Sequence, residues 1–347
     1  MKILKKKINK KNSCFIIGEI GSNHNLSFSN VKKLIDAASR AKFDAIKFQL
    51  YDAEEAFSKN VTTKDVGLEK MYGNKPWWIV AKSKILMPKK WFAPAYKYAK
   101  KKGLIPFCTI HRIEDVPFLK KIGIPVIKIA SIDLTYHQLL EKLVKLKKPM
   151  IVSTGMGSFS EISKTVKLLK KGLSNNFALL HCKSSYPPNA KEINLNNVIM
   201  LQKKFGIISG YSDHSPSVID SIVAVANGAK IIEKHITLSR KMKGPDHPFA
   251  IEPEEMIELV SGIRRTELIM GSYERKVYSS DLSARKMIRR SVVAKIDIKK
   301  GEKITIDKVK FARPGHGLPT SQFKHIDKKI AKVSISAETL ILPRMII

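Results

Sequence analysis

Two stretches of the sequence decide the fold: Gly206-Ile207-Ile208-Ser209-Gly210-Tyr211-Ser212-Asp213-His214 and Ala229-Lys230-Ile231-Ile232-Glu233-Lys234-His235. Each stretch begins as an apolar run of strand length and ends in a histidine. The residues between them are rich in Ala and Val and predict a helix. Parallel strands joined by a crossover helix can lie side by side in one sheet. We therefore expect His214 and His235 to lie together at one end of a sheet, where they can share an ion.

The same strand-then-helix pattern recurs along the chain. The short apolar runs are continuous, as expected of strands that are covered on both faces: Cys14–Ile20, Asp44–Gln49, Leu104–Cys108, Val126–Ala130, Met150–Ser153, Phe177–His181, Ile207–Gly210 and Ile231–His235. Amphipathic helical patterns follow them: Phe28–Ala41, Lys89–Lys102, Ile113–Lys121, Thr135–Leu146, Phe159–Lys171, Leu195–Phe205, Pro216–Gly228 and Pro253–Met270. Eight such units predict an α/β fold, the (β/α)8 TIM barrel. A doubly wound open sheet is the alternative, but it usually carries a Gly-rich phosphate loop, which this sequence lacks.

The pattern changes on both sides of the barrel. Residues 1–12 are predicted to be a flexible basic arm, and residues 13–271 the barrel domain. The polar segment 272–290 is predicted to be a linker, and the short β-like pieces of 291–347 predict a small β-rich second domain. The one long irregular connection, 51–88, is predicted to cover the substrate.

Composition narrows the class of protein. The 64 Lys and Arg against 30 Asp and Glu give a formal charge of +34, but the lysines are spread over the predicted helices and no nucleic-acid-binding motif appears. We expect no nucleic-acid partner and a positive field that attracts anionic substrates. No apolar run approaches the roughly 18 residues that span a bilayer, so no membrane partner is expected. Three cysteines without a CxxC motif favour a reducing cytoplasm.

Polar groups stand at the end of every predicted strand, where a barrel places its catalytic residues. They are Glu19, Asn23, His24, Lys47, Gln49, Thr109, Lys128, Ser131, Ser153, Thr154, Ser184, Tyr186, Ser212, His214, Glu233 and His235. Lys47 and Lys128 are the most informative, because lysine is almost never fully buried without a partner. With the serine hydroxyls they predict a site for a phosphate or a carboxylate.

The two histidines and two glutamates add chemistry to that anion site. His214 and His235 supply imidazoles for a divalent metal whose remaining positions stay open to water and substrate. Glu19 and Glu233 are candidates to move protons or to stabilise developing positive charge. A purely structural role is the alternative for each histidine, and the surrounding polar strand ends favour the metal site.

The motifs resemble the signatures of the sialic acid synthase family, in the family's order and over nearly the whole chain. They are Gly18-Glu19-Ile20-Gly21-Ser22-Asn23-His24-Asn25, Lys47-Phe48-Gln49, Lys128-Ile129-Ala130-Ser131, Ser153-Thr154-Gly155-Met156, Tyr211-Ser212-Asp213-His214, Glu233-Lys234-His235 and Gly244-Pro245-Asp246-His247. The segment around Arg313-Pro314-Gly315 resembles the family's C-terminal antifreeze-like (SAF, β-clip) domain.

The resemblance implies a reaction. Phosphoenolpyruvate would condense with an acylated amino-sugar aldehyde to give a nine-carbon nonulosonic acid and phosphate. A divalent cofactor ion, Mn2+ or Mg2+, on His214 and His235 would polarise the aldehyde oxygen. The enol carbon would attack, water would add at C2, and the C–O bond to phosphate would break. Glu19 would face the reacting centre, and Glu19, His214, Glu233 and His235 form the implied catalytic set.

The resemblance also implies which residues hold the substrates. Phosphoenolpyruvate would be held by Lys47, Thr109, Lys128, Ser131, Ser153, Ser184 and Ser212, and the sugar by Gln49, Tyr186, Asp246 and Arg313. Family members are homodimers in which the small domain of one subunit covers the barrel of the other, a domain-swapped arrangement, so Arg313 would act in trans.

Two departures from the family pattern concern specificity. Ser184 stands where many members have an Asn, so altered phosphate contacts are expected. The 51–88 loop does not follow the pattern of N-acetylmannosamine-specific members. The sugar therefore stays open between N-acetylmannosamine and a diacetamido-trideoxy sugar.

Other functions fit the sequence less well. A related synthase that uses a sugar phosphate would often lack the appended domain and carry more arginine. A non-enzymatic polyanion binder, or an ice-binding protein, would not account for ionisable groups at successive strand ends. The C-terminal segment also lacks the flat threonine repeats of an ice-binding face.

Overall fold

The computed structural model describes residues 1–347. The chain divides into two compact units, Met1–Gly271 and Ser272–Ile347.

A closed barrel of parallel strands forms the first unit. Its strands are β3 (Phe15–Glu19), β4 (Ala45–Leu50), β5 (Ile105–Ile110), β6 (Ile127–Ile129), β7 (Met150–Ser153), β8 (Phe177–Cys182), β9 (Ile208–Asp213) and β10 (Ile231–His235). The last strand pairs with the first, so the sheet has no edge. The predicted TIM barrel is confirmed, and the open doubly wound sheet is excluded.

Helices surround the barrel. Those of the first unit are α1 (Phe28–Arg40), α2 (Ala53–Ala56), α3 (Glu69–Tyr72), α4 (Trp77–Val80), α5 (Phe92–Lys101), α6 (Val116–Lys121), α7 (His137–Val144), α8 (Phe159–Leu173), α9 (Ala190–Ile193), α10 (Asn196–Phe205), α11 (Ile219–Ala226) and α12 (Pro253–Met270). Apart from α2, α3 and α4, which lie in the 51–88 connection, they pack apolar faces on the outside of the strands, which explains why the strands are apolar on both faces. No helix is long and apolar enough to cross a membrane.

The N-terminal segment differs from the expected flexible arm. A small antiparallel hairpin, β1 (Lys2–Ile3) with β2 (Lys6–Lys7), lies at the N-terminal ends of the barrel strands. The Lys2 N–H donates to Asn176 Oδ1, just before β8, over 3.1 Å. Ile3 and Ile8 are buried in the barrel core. Two isoleucines among many lysines give only a weak apolar signal, and their burial explains why the segment is ordered.

The 51–88 connection also has more structure than the sequence predicts. It contains α2, α3 and α4, followed by a π-helical turn at Ala81–Ile85. Val80, Ala81 and Ile85 are buried, so this part of the connection is packed rather than free in solvent.

The second unit is small and rich in extended structure. It begins with α13 (Ser279–Ile288), which lies inside the segment predicted as a linker and has no buried residue. Two antiparallel strands follow, β11 (Ser291–Ala294) and β12 (Val309–Ala312). The unit has a core of its own, formed by Val292, Ala294, Ile298, Ile304, Val309, Leu318, Ile326, Ala331, Ile335 and Ile341.

Candidate active site

A polar cavity of about 230 Å³ opens at the C-terminal ends of the barrel strands. It is lined by Lys47, Gln49, Tyr51, Thr109, His111, Lys128, Ala130, Ser131, Ile132, Ser153, Met156, Cys182, Ser184, Tyr186, Ser212, His214, Glu233 and His235. Twelve of the fifteen site residues singled out in the sequence are in this set: Lys47, Gln49, Thr109, Lys128, Ser131, Ser153, Ser184, Tyr186, Ser212, His214, Glu233 and His235.

The other three predicted residues lie elsewhere. Glu19 is fully buried, 3.1 Å from the Lys47 ammonium group. Asp246 lies beside the cavity, with its Oδ2 3.8 Å from His235 Nδ1. Arg313 belongs to the second unit and is exposed there.

Strand register explains why the charged groups meet. Glu19 pairs with both Lys47 and His235 across neighbouring strands, and Glu233 pairs with Ser212. Side chains alternate along each strand, so residues at matching positions point to the same side of the sheet. This register aligns groups that are far apart in the sequence.

Four of these groups form a buried charge cluster. Lys47 Nζ lies 2.7 Å from Glu233 Oε1 and 3.1 Å from Glu19 Oε2, while Lys128 Nζ is 3.7 Å from Glu233. Buried charges are tolerated only when they are paired in this way.

The two carboxyl groups of this cluster differ widely in pKa. Burial raises the pKa of Glu19 to about 7. Burial acts in the same direction on Glu233, but the ammonium groups of Lys128 and Lys47 outweigh it and lower its pKa to about 2. Burial lowers the pKa of Lys128 to about 8. Glu233 is therefore a fixed anion, whereas Glu19 is able to exchange a proton near neutral pH.

Hydroxyl donors cluster beside the lysines. Lys128 donates to Ser153 Oγ over 2.6 Å, and the Gly155 N–H donates to Ser131 Oγ over 3.0 Å. Ser184 Oγ is buried with no hydrogen-bond partner. A Cβ at Gly155 would collide with the Ser184 and Ser131 hydroxyls, so the glycine keeps this space free. The arrangement suits an oxygen-rich anion that would satisfy the unused hydroxyl.

The two histidines come together as expected, with ring centroids 5.5 Å apart. Glycine at position 210 allows β9 to approach β10 closely, since a Cβ there would collide with the Ile231 carbonyl oxygen. His214 Nδ1 donates to the Lys183 carbonyl over 2.7 Å, which leaves Nε2 as a possible ligand.

The histidine pair fits a divalent ion. Burial lowers the pKa of both His214 and His235 to about 3, so both rings are neutral, the form that binds metals. His235 Nδ1 is buried without a hydrogen-bond partner beside Asp246. No group of three acidic, histidine or cysteine side chains is placed to hold a metal. A metal here would have two protein ligands and positions open to substrate.

A buried ion pair holds the loop that carries His214. Lys234 Nζ lies 2.7 Å from Asp213 Oδ2 and donates to the Ser215 and Ser217 carbonyls. Asp213 Oδ1 accepts from the Ser215 N–H over 2.8 Å. Asp213 and Lys234 alternate along their strands with residues that line the cavity, and they do not line it themselves. Their role is therefore to position His214.

Six cavity residues were missed from the sequence: Tyr51, His111, Ala130, Ile132, Met156 and Cys182. Strand alternation was an available signal for four of them. Tyr51 follows Gln49 by two residues, His111 follows Thr109 by two, Ala130 follows Lys128 by two, and Cys182 precedes Ser184 by two. Ile132 and Met156 lie in the loops beyond the strands and carry no comparable pattern.

Comparison with known proteins agrees with this geometry. The profile of the NeuB family matches residues 34–275, and that of the SAF domain matches residues 289–347. The match covers most of the barrel and nearly all of the small unit.

Individual relatives are similar over nearly their whole length. The chain is 34% identical over 328 residues to the N,N'-diacetyllegionaminic acid synthase of Campylobacter jejuni, covering 94% of this chain and 98% of that protein. It is 32% identical to human N-acetylneuraminate-9-phosphate synthase, covering 96% and 92%. A crystal structure of the N-acetylneuraminic acid (sialic acid) synthetase of Leptospira borgpetersenii superposes with a TM-score of 0.72 at 36% identity, covering 82% and 94%. The chain belongs to the NeuB family, the sialic acid synthase family that its motifs indicate.

Proposed function

We propose that the chain is a nonulosonic acid synthase, a transferase that condenses phosphoenolpyruvate with an N-acylated amino-hexose such as N-acetylmannosamine. The observation that carries the proposal is one cavity that joins buried Lys47 and Lys128 to serine hydroxyls and two neutral histidines. The names of the Campylobacter and human relatives support a reaction of this class.

The lysine and serine end of the cavity suits phosphoenolpyruvate. This substrate carries a carboxylate and a phosphate, and Lys47 and Lys128 supply two positive charges at the base of the cavity. Ser131, Ser153 and Ser184 add hydroxyl donors. Charge-assisted hydrogen bonds of this kind are strong and hold the enol carbon in a fixed direction.

The bond changes follow from this placement. The enol carbon of phosphoenolpyruvate bonds to the aldehyde carbon of the sugar, which becomes an alcohol. Water then adds at C2 of the pyruvyl part, and phosphate leaves with the bridging oxygen. Glu233 is a fixed anion that stabilises positive charge at C2, and Glu19 is the carboxyl group able to carry a proton at neutral pH.

A divalent ion, Mn2+ or Mg2+, held by His214 and His235 would supply positive charge to the aldehyde oxygen. The chain itself keeps both imidazoles neutral and fixes the orientation of the His214 ring. Burial keeps them neutral by lowering the pKa of each ring, and the Lys183 carbonyl fixes His214.

An acylamino-sugar is favoured over a sugar phosphate. No arginine lines the cavity, and its two lysines are engaged by Glu233 and Glu19. The barrel cavity of one subunit therefore holds no further cation for a second phosphate. On the sugar side, Gln49 and Tyr186 line the cavity and Asp246 lies beside it.

The proposal includes a homodimer in which Arg313 completes the site of the other subunit. Its exposed position in the second unit leaves its side chain free for such a contact. Mixing Arg313→Ala with His214→Ala tests this, because a mixed dimer would contain one intact site. Recovery of up to about a quarter of wild-type activity, the statistical value for random mixing, is expected, and no recovery on mixing would exclude action in trans.

We also propose that the enzyme works in the reducing cytoplasm, which the three free, buried cysteines support.

A substrate panel tests the function and identifies the sugar. Phosphate release is measured with phosphoenolpyruvate, Mn2+ and one of N-acetylmannosamine, N-acetylmannosamine 6-phosphate, diacetamido-trideoxyhexoses, arabinose 5-phosphate or erythrose 4-phosphate. We expect turnover with at least one unphosphorylated acylamino-sugar. Turnover with only arabinose or erythrose phosphate would establish the related synthase instead, and silence with tight, steeply salt-dependent RNA binding would favour a polyanion binder.

A further inference from the structure

A second cavity adjoins the candidate active site at its mouth. It is lined by Tyr51, Glu55, Ala56, Phe57, His111, Arg112, Glu114, Ile132, Asp133 and Tyr136. Tyr51, His111 and Ile132 line both cavities, so they form the wall between them. His111 lies one strand repeat beyond Thr109 and therefore faces the same side of the barrel further out.

His111 is held in a defined state by Asp133. Its Nδ1 lies 2.6 Å from Asp133 Oδ2, and both residues are buried, with side chains 5% and 10% exposed. The Asp133 carboxylate accepts a hydrogen bond from Nδ1–H, so the second ring nitrogen, Nε2, is the atom left to bind a ligand, and in the neutral ring it is an acceptor.

That acceptor has no partner. His111 Nε2 is buried and makes no hydrogen bond within the protein, and the Tyr51 ring is stacked on the imidazole at 3.7 Å between centroids. A buried polar atom without a partner costs free energy. The pattern is that of a group whose partner arrives with the substrate.

The chemistry of the second cavity points to the sugar and not to phosphoenolpyruvate. Its one cationic side chain, Arg112, is engaged 3.0 Å from Asp115 and 3.3 Å from Asp52. Apart from two tyrosines, the remaining ionisable groups on its wall are carboxylates and His111. Such a surface repels a phosphate and offers acceptors for hydroxyl and amide N–H groups.

We propose that His111, positioned by Asp133, is a specificity-determining residue that accepts a hydrogen bond from one hydroxyl or amide N–H of the sugar. This inference rests on the proposed function and adds the group that recognises the part of the sugar away from the aldehyde. A sugar that lacks the donor leaves Nε2 unpaired, which is how enzymes reject analogues lacking a hydroxyl.

The test pairs a protein change with a substrate change. Monodeoxy analogues of the accepted sugar, one for each hydroxyl away from the aldehyde, and an analogue with an N-methylated amide are compared in the wild type and in His111→Phe. Phe keeps an aromatic ring against Tyr51 but lacks the acceptor. His137→Phe is the control, because His137 lines neither cavity.

We expect the loss of kcat/KM on one sugar analogue to depend on the presence of His111. Wild-type kcat/KM falls at least about tenfold for one analogue. His111→Phe falls by a similar factor on the parent sugar and no longer distinguishes it from that analogue, while the KM for phosphoenolpyruvate stays within about twofold. His111→Gln, which restores an acceptor, recovers part of the loss. It replaces His111→Phe in the comparison if the Phe variant does not fold.

Other results would overturn the inference. An equal loss on the parent and every analogue would make His111 merely structural, and a raised KM for phosphoenolpyruvate would place it at the other substrate. Wild-type silence on the whole sugar panel would instead remove the proposed function, and this inference with it. The first two outcomes leave the synthase activity standing.

Discussion

Lys47 and Glu233 form a buried ion pair, with 2.7 Å between Nζ and Oε1, although 186 residues separate them in the chain. Glu19 lies on the other side of the same ammonium group, at 3.1 Å. One lysine therefore balances two carboxylates that have almost no access to water. The pair links the stability of the barrel to its chemistry.

Removal of Lys47 should damage both stability and activity. Lys47→Met leaves Glu19 and Glu233 without this counter-charge, and breaking a buried pair typically costs about 3–5 kcal/mol. Denaturant unfolding measures the loss, and phosphate release should fall to background. Lys82→Met is the control, because the ion pair between Lys82 and Glu54 is exposed and contributes little to stability. Equal stability of the two variants would contradict the paired-charge account.

The Asp213–Lys234 pair should act as a unit. Both side chains are fully buried, so Asp213→Leu or Lys234→Met alone leaves a buried charge and costs about 3–5 kcal/mol. The double variant should cost less than the sum of the two by about 0.5–3 kcal/mol, the usual coupling between residues in contact. All three variants should lose activity, because the pair anchors the loop next to His214. Strictly additive losses measured by denaturant unfolding would show that the pair is not coupled.

The N-terminal hairpin should contribute to stability. Ile3 is fully buried whereas the neighbouring Leu4 is 60% exposed, so the two offer a matched comparison. Ile3→Ala should lower the free energy of unfolding by about 2–5 kcal/mol, and Leu4→Ala should change it by less than about 0.5 kcal/mol. If both substitutions are neutral in thermal and denaturant unfolding, the segment behaves as the flexible arm that the sequence predicts.

Loss of either candidate metal ligand should weaken metal binding as well as turnover. His214→Gln and His235→Gln are each expected to bind Mn2+ at least about tenfold more weakly. Loss of a residue that only hydrogen-bonds to a metal ligand already weakens metal binding on this scale. Titration followed by electron paramagnetic resonance measures this without any turnover. His137→Gln should bind as the wild type does. A chelator should abolish turnover, and near wild-type Mn2+ affinity in either ligand variant would rule out the two-histidine site.

Much of this site was predictable because, in a barrel, the position of a residue along its strand determines where in the fold it lies. Residues at the ends of continuous apolar strands must meet at one face, so Lys47, Lys128, His214 and His235 could be placed together from the sequence alone. Continuous apolar runs also distinguished the strands from the helices around them.

The missed features depend on contacts that periodicity does not encode. Tyr51 directly follows β4 and Asp133 ends a 3-10 turn at Ser131–Asp133, and their contacts with His111 depend on how the ends of neighbouring strands pack. The N-terminal hairpin is ordered by only two buried isoleucines, Ile3 and Ile8, among lysines that indicate a solvated arm. In each case a few long-range contacts outweigh the local pattern.

The most direct test of the central claim follows the bridging oxygen of phosphoenolpyruvate. With phosphoenolpyruvate labelled with 18O between C2 and phosphorus, Mn2+ and the accepted acylamino-sugar, the released phosphate should carry the label, with one equivalent of nonulosonic acid formed per phosphate. Both products should require the sugar. Phosphate without the label, or phosphate released from phosphoenolpyruvate alone, would mean that the P–O bond breaks or that no condensation occurs, and would contradict the account.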